Sequence, residues 1–212
     1  HHPNVHTIRQ GVGKESYVTP RDKNDINSTY TMADAVFTAC FLNSMHRHCD
    51  IVGMANFAPI LNTRGCIYSH DKGIVLRSTY HVFDLFVNHL GDTVVDLWPE
   101  TAVPAMTVTH KQGHSVTIDS LDLLATTYSD KPGMAVAAVN KDPDKACSIT
   151  LPLDGRTQVI LYTINGESKD SYNDVDHDGV RTVKTDLGMH EGCIEIALEP
   201  HSVNLIEIIP AE

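Results

Sequence analysis

Several features that mark particular protein classes are missing from this sequence of 212 residues. Basic residues are in the minority, since 16 Lys and Arg stand against 27 Asp and Glu and give a formal net charge of −11. This balance argues against nucleic acid or an anionic membrane as a partner, because both select for clustered Lys and Arg. No apolar run approaches the length of a membrane span, and the first residues do not read as a signal peptide.

Cysteines and aromatic residues are also scarce. The five cysteines are widely and irregularly spaced and include no C-x-x-C pair, which excludes a zinc knuckle or a redox motif. They are Cys40, Cys49, Cys66, Cys147 and Cys193. A reducing compartment is the simplest account, so we expect a cytoplasmic location. Aromatic residues make up 6% of the chain and Trp98 is its single tryptophan, which disfavours a sandwich that binds sugar on an aromatic sheet face.

Motifs for metal and nucleophilic chemistry are absent. The 13 histidines form neither H-E-x-x-H nor a facial triad, and there is no G-x-S-x-G or Walker loop. Residues 174–179 read D-x-D-x-D-G, but the twelfth position of this loop is Thr185 where a calcium loop needs a bidentate acid. We interpret Asp174, Asp176 and Asp178 as an acidic surface turn, with calcium as the alternative. No metal or cofactor is expected.

The first part of the chain has the alternation of helix and strand that is typical of an α/β domain. Thr31 and Asp34 stand at capping-box spacing and predict a helix from residue 31, apolar enough to be buried on most sides. Residues 51–55 form a short apolar run that suits a fully buried strand. A second helix is predicted over residues 78–90, with Ser78 as its cap and Gly91 at its end.

The rest of the chain is β-rich. Short β-prone runs separated by Gly, Pro and Asp follow Gly91 and predict a sandwich or jelly roll. We therefore divide the chain into residues 1–91, part of an α/β domain, and residues 92–212, a β-sandwich. One strand and two helices cannot bury the apolar sides that they present, so the first part is expected to need an upstream partner.

Asn56 is the first candidate site residue. It ends the apolar run abruptly and opens a loop that contains Arg64, and polar residues at the carboxyl end of a barrel strand face the active site. An amide at this point can donate to and accept from a sugar hydroxyl. Alternatively, Asn56 stabilises the turn of the loop. Arg64 either lines the cleft or pairs with a loop carboxylate.

Four segments carry a resemblance to a known family. Residues 33–50, the stretch Met54-Ala55-Asn56-Phe57-Ala58-Pro59, and the residues 62–65 and 73–83 are similar to glycoside hydrolase family 51, the retaining α-L-arabinofuranosidases. This resemblance implies the last strand and helices of a (β/α)8 TIM barrel, followed by a C-terminal jelly-roll-like β-sandwich. It implies no cofactor and a homo-oligomeric enzyme acting on arabinofuranosides.

The same resemblance implies roles for particular residues. Both catalytic glutamates of the family would lie before His1, so this chain supplies no catalytic residue and works with an N-terminal portion of the same enzyme. Asn56 falls where many relatives have a Gln that contacts arabinose, which makes Asn56, together with Arg64, a substrate-binding candidate. The alternatives are a non-catalytic carbohydrate-binding or oligomerisation sandwich, and endoglucanase or xylanase activity on the same scaffold.

Overall fold

The computed structural model describes residues 30–62, 65–109 and 113–211. These residues form two helices, α1 (Met32–Arg47) and α2 (Ser78–His89), and twelve strands. The strands are β1 (Ile67–His70), β2 (Gly73–Leu76), β3 (Thr93–Val95), β4 (Ala105–Thr109), β5 (Ser115–Asp119), β6 (Leu121–Thr127), β7 (Met134–Asn140), β8 (Cys147–Asn165), β9 (Asn173–Asp174), β10 (His177–Asp178), β11 (Arg181–Leu198) and β12 (Val203–Pro210).

Helix α1 begins at the capping box that the sequence predicts. The backbone N–H of Thr31 donates to Asp34 Oδ2 at 2.8 Å, and the Thr31 hydroxyl donates to the same oxygen at 3.0 Å. The buried face of α1 is made mainly of small and aliphatic residues, together with the polar side chains of Asp34 and Asn43. On the other face Phe37 and Phe41 stack with 6.0 Å between ring centroids and are 49% and 53% exposed. The expectation of burial on most sides is therefore wrong for this aromatic pair.

Helix α2 also forms as predicted, with two corrections. Its N-cap is Arg77, and the Ser78 hydroxyl instead donates to the Thr31 carbonyl at 2.7 Å, which ties the starts of the two helices together. The buried face consists of Val82, Leu85 and Phe86 with the first-turn residues. The helix ends at His89 rather than at residue 90, and Val87 is exposed, because one step of 100° from Phe86 carries it past the edge of the buried stripe.

A six-stranded antiparallel sheet forms the centre of the fold, in the order β11-β8-β12-β7-β6-β3. Side chains of β7 and β12 are buried on both faces of this sheet. Ala137 and Leu205 face one core cluster, which they share with the buried sides of α1 and α2. Val136 and Ile206 face a second cluster on the opposite side.

The second cluster is closed by the bent hairpin of β8 and β11. Their pairing is interrupted by register shifts at Gly188 and Gly192, which have φ of 84° and 81°, a backbone conformation that glycine adopts without strain. One half of the hairpin pairs with β12, and the other half contributes Leu153 and Ile194 to the cluster. The predicted β-sandwich is thus confirmed, with the helices as an outer layer on one side.

The described residues do not form the predicted strand over residues 51–55. Residues 52–57 have no regular secondary structure, and Ile51 and Met54 are 80% and 77% exposed. A parallel strand exists only when neighbouring strands bond its backbone, and none of the described residues pairs with this segment. The barrel part of the predicted fold class is therefore not formed by the described residues. The division between residues 91 and 92 stays a prediction.

Candidate functional site

Asn56 lies in an extended, solvent-facing segment. Its neighbours Met54, Ala55 and Ala58 are exposed, as Asn56 itself is. No hydrogen bond of the Asn56 side chain is found among the described residues, and the turn-stabilising alternative stays a prediction. The next residue, Phe57, anchors the segment on the Phe83 ring of α2 at 5.4 Å between centroids.

The amide that shapes the loop is Asn62. It adopts a φ of 53°, which Asn tolerates better than most residues, and its Oδ1 accepts the backbone N–H of Ser69 at 2.7 Å. The Gly65 N–H returns to the Asn62 carbonyl at 2.5 Å, and the Asn62 N–H donates to the Ile67 carbonyl at 2.8 Å. The loop after Asn56 is thereby fixed on strand β1.

The buried side chain of Arg77 also holds this loop. Only 1% exposed, it donates from Nη1 to the Gly65 carbonyl at 2.8 Å. Its guanidinium lies 5.4 Å and 5.2 Å from the ring centroids of Tyr30 and Tyr68. Gly65 is required here, because a Cβ at this position would stand 2.3 Å from the Ile60 carbonyl oxygen. The predicted cation, Arg64, lies outside the described residues, and sequence reasoning missed Arg77.

The acidic turn has no calcium-loop geometry. Residues 173–178 form the short hairpin β9–β10, in which Asp174 pairs with His177 and Asn173 with Asp178. The Asp176 carboxylate forms an ion pair at 3.0 Å with the ammonium of Lys72, which lies in the β1–β2 turn. In the described parts of the chain no group of three or more His, Cys, Asp or Glu side chains could hold a metal ion.

Two hairpins therefore face each other: β1–β2, which follows the Asn56 loop in the chain, and β9–β10. A groove of about 320 Å³ lies between β1–β2 and β9–β10 and is lined by aromatic, imidazole and charged side chains. A second cavity of about 490 Å³ adjoins it and shares the lining residue His177. Sequence reasoning missed both, and the walls of the first groove come from residues about a hundred positions apart.

The imidazole of His81 supports the hairpin from α2. Asn173 Nδ2 lies 3.4 Å from His81 Nε2, and the Thr182 hydroxyl lies 3.2 Å from Nδ1. Burial lowers the pKa of His81, although the charges of Asp178 and Asp84 oppose this. A neutral ring fits the contacts, because Nδ1–H then donates to the Thr182 hydroxyl, while an unprotonated Nε2 faces the Asn173 amide, whose two hydrogens go to the Leu76 and Val180 carbonyls.

The fold and the sequence both relate this chain to known proteins. Helices on one face of a six-stranded sheet and a folded hairpin on the other define a β-sandwich domain with a helical layer. The chain belongs to the alpha-L-arabinofuranosidase C-terminal domain family, whose model matches residues 6–202. This confirms the resemblance drawn from the sequence.

Individual relatives are similar in sequence or in fold. An intracellular exo-alpha-L-arabinofuranosidase of Bacteroides ovatus is 26% identical over 194 residues, which are 88% of this chain and 36% of that protein. The structure of an alpha-L-arabinofuranosidase from Thermotoga maritima matches with a TM-score of 0.75 at 22% identity, over 90% of this chain and 41% of that one. A family 51 alpha-L-arabinofuranosidase from Thermotoga petrophila matches at 0.74, also at 22% identity and with the same coverage. The chain thus spans about two fifths of the length of these relatives. Neither described helix has the length and apolar character of a membrane span.

Proposed function

We propose that this chain acts as the C-terminal part of a retaining α-L-arabinofuranosidase that releases terminal arabinofuranosyl residues from polysaccharides or oligosaccharides. In such an enzyme one carboxylate attacks the anomeric carbon while a second carboxyl group protonates the leaving oxygen, and water then releases the sugar with net retention. Under this proposal both carboxyl groups belong to an N-terminal portion, and the chain contributes the Asn56 loop as one wall of the cleft.

The observation that carries the proposal is the solvent exposure of apolar side chains in residues 51–61. Four large apolar side chains of this segment are more than half exposed, namely Ile51, Met54, Ile60 and Leu61. Exposed apolar runs of this size mark surfaces that another structure covers. Membership of the arabinofuranosidase family supports a catalytic barrel as that structure, since the segment would then pair as a barrel strand and end at the active site with Asn56.

In that setting the role of Asn56 is to position the sugar. Its amide can donate one hydrogen bond to a sugar oxygen and accept another from a hydroxyl, which fixes the ring before carboxylates elsewhere act on it. Phe57 and Asn62 hold the backbone on either side. We further propose that the protein is cytoplasmic and forms a homo-oligomer. Light scattering of the purified protein measures its oligomeric state directly.

The test combines mass with activity. The protein is purified from its source, its intact mass is measured, and hydrolysis of an aryl α-L-arabinofuranoside is assayed. We expect activity to accompany a mass above the 23.3 kDa of this chain or a second co-purifying polypeptide. Full activity at 23.3 kDa would overturn the division of labour, and no activity in any form would overturn the function.

Asn56→Ala then tests the positioning role. Loss of a hydrogen bond to a neutral sugar group is expected to lower kcat/KM by about fivefold to tenfold, without a change in the unfolding midpoint. Asn88→Ala is the matched control, because Asn88 is an exposed amide that bonds only within α2, to Asp84. Equal kinetics for the two variants would remove Asn56 from the site.

A further inference from the structure

The groove between the β1–β2 and β9–β10 hairpins has the composition of a sugar-binding site. We propose that it binds the polysaccharide chain that carries the arabinofuranosyl group, as a subsite beyond the bond that is cleaved. This inference rests on the proposed function, because it names the part of the substrate that the hairpins hold. The ligand class is a neutral pentose polymer.

One wall of the groove is aromatic. The rings of Tyr172 and His177 contact each other with 4.7 Å between centroids and 45° between their planes. On the facing hairpin the His70 ring lines the groove, 5.8 Å from the ring of Tyr68, which is only 1% exposed. Aromatic and imidazole faces pack against the C–H faces of sugar rings, while their polar ends bond to hydroxyls. The Tyr172–His177 pair on one wall and the His70 ring on the other therefore suit a sugar chain.

The opposite chemistry is also present at the rim. Asp176 and Lys72 form an ion pair at 3.0 Å that bridges the two hairpins, with both side chains largely exposed. Carboxylate oxygens accept from sugar hydroxyls and the ammonium donates to them. Asp174 also lines the groove, and two carboxylates against one ammonium disfavour an anionic ligand, whereas a neutral sugar chain carries no charge for them to repel.

The groove is built rigidly. Gly179 allows the hairpin to close on the aromatic wall, since a Cβ there would lie 2.7 Å from the Tyr172 carbonyl and 3.0 Å from His177 Nε2. Asn173, 6% exposed, donates from Nδ2 to the carbonyls of Leu76 and Val180 at 2.8 Å each. This single amide therefore links β9–β10 to the end of β2 and fixes the width of the groove. Preformed walls lower the entropic cost of binding a flexible chain.

The position of the groove agrees with an extended cleft. Strand β1 continues directly from the loop that Asn56 opens, through a bridge between Leu61 and Ile67. At the other end the groove meets the adjoining cavity of about 490 Å³ at His177. Neither cavity is lined by Asn56, so a polymer whose terminal sugar lies at Asn56 would reach the groove along the loop that leads into β1.

The test uses the active enzyme, which is this chain with whatever polypeptide the activity measurement requires. Tyr172→Ala and His177→Ala remove one aromatic group each, and His177 is exposed, so its loss does not threaten the fold. Trp98→Ala is the matched control, because Trp98 is an 83% exposed aromatic residue that does not line the groove. Kinetics are measured on arabinan and on an aryl α-L-arabinofuranoside, and binding by retardation in native gels that contain arabinan.

We expect each groove variant to raise KM for arabinan by about tenfold with kcat unchanged, and to leave both constants for the aryl substrate unchanged. Retardation in arabinan should weaken in the same two variants and persist in the Trp98→Ala control. If the enzyme cleaves both substrates and the groove variants match the control on arabinan, the subsite is overturned while the activity stands. If the aryl substrate is not cleaved but Tyr172→Ala still abolishes retardation, the proposed function fails and the groove remains an arabinan site.

Discussion

Arg77→Ala is the substitution that tests how the loop beside Asn56 is held. The guanidinium is 1% exposed, donates to the Gly65 carbonyl at 2.8 Å and lies between two tyrosine rings at 5.4 Å and 5.2 Å. A hydrogen bond from a charged group contributes roughly 2 kcal/mol and each cation–π contact roughly 1 kcal/mol. Together these give an expected loss of about 4 kcal/mol in the free energy of unfolding, or a fall of about 10 °C in the midpoint.

Arg47→Ala is the matched control for this loss. Arg47 bonds Asp122 through both of its terminal nitrogens at 3.0 Å, but its side chain is 39% exposed. A pair so open to water contributes about 1 kcal/mol. Thermal unfolding followed by circular dichroism compares the two variants, and limited proteolysis reports cleavage within residues 58–66. Equal midpoints for the two variants would refute the assignment of Arg77 as the anchor.

Two further predictions concern packing and reactivity. Gly91→Ala should lower the unfolding midpoint by several degrees, at a cost of about 2 kcal/mol, because its Cβ would stand 2.2 Å from the Thr127 carbonyl oxygen. Gly53→Ala is the control and should leave the midpoint unchanged, because the space around Gly53 is open. Equal midpoints for the two variants would contradict the close approach at Gly91. Burial raises the pKa of Cys40 to about 12, with a further rise from the charge of Asp122. At pH 8 a maleimide should therefore modify the exposed Cys193 well before Cys40, as peptide mass spectrometry will show, and equal labelling rates would refute this.

The elements that the sequence predicts well are those decided by near neighbours along the chain. Helix α1 starts where Thr31 and Asp34 form their capping contact, three residues apart. The strands after Gly91 follow short β-prone runs that turn residues separate, as in β6 and β7. Strand β8 nevertheless runs through Gly155 without a break, because this glycine, with a φ of 67°, lets the backbone bend within the strand.

The failures arise where distant residues decide the outcome. Residues 51–55 have the composition of a buried strand, but composition does not supply the neighbouring strands that such a segment needs. The β1–β2 hairpin did carry a local signal, since Gly73 at its turn has a φ of 143° and lies between β-prone flanks. Arg77 and the groove had none, because their contacts join residues 12 to about a hundred positions apart.

The hydrogen bonds between these parts indicate what the sandwich does for the loop. The N–H groups of Met32 and Ala33 at the start of α1 donate to the carbonyls of Ser171 and Lys169, just before β9. Ser78 then joins α2 to the same end of α1. The Asn56 loop, both helices and the groove hairpin are therefore parts of one hydrogen-bonded unit supported by the sheet. Since sugar binding needs positions fixed to within a fraction of an ångström, a rigid sheet beneath the loop has a direct functional consequence. Under the proposed function, the sandwich therefore acts as the support of a substrate-binding wall rather than as an independent module.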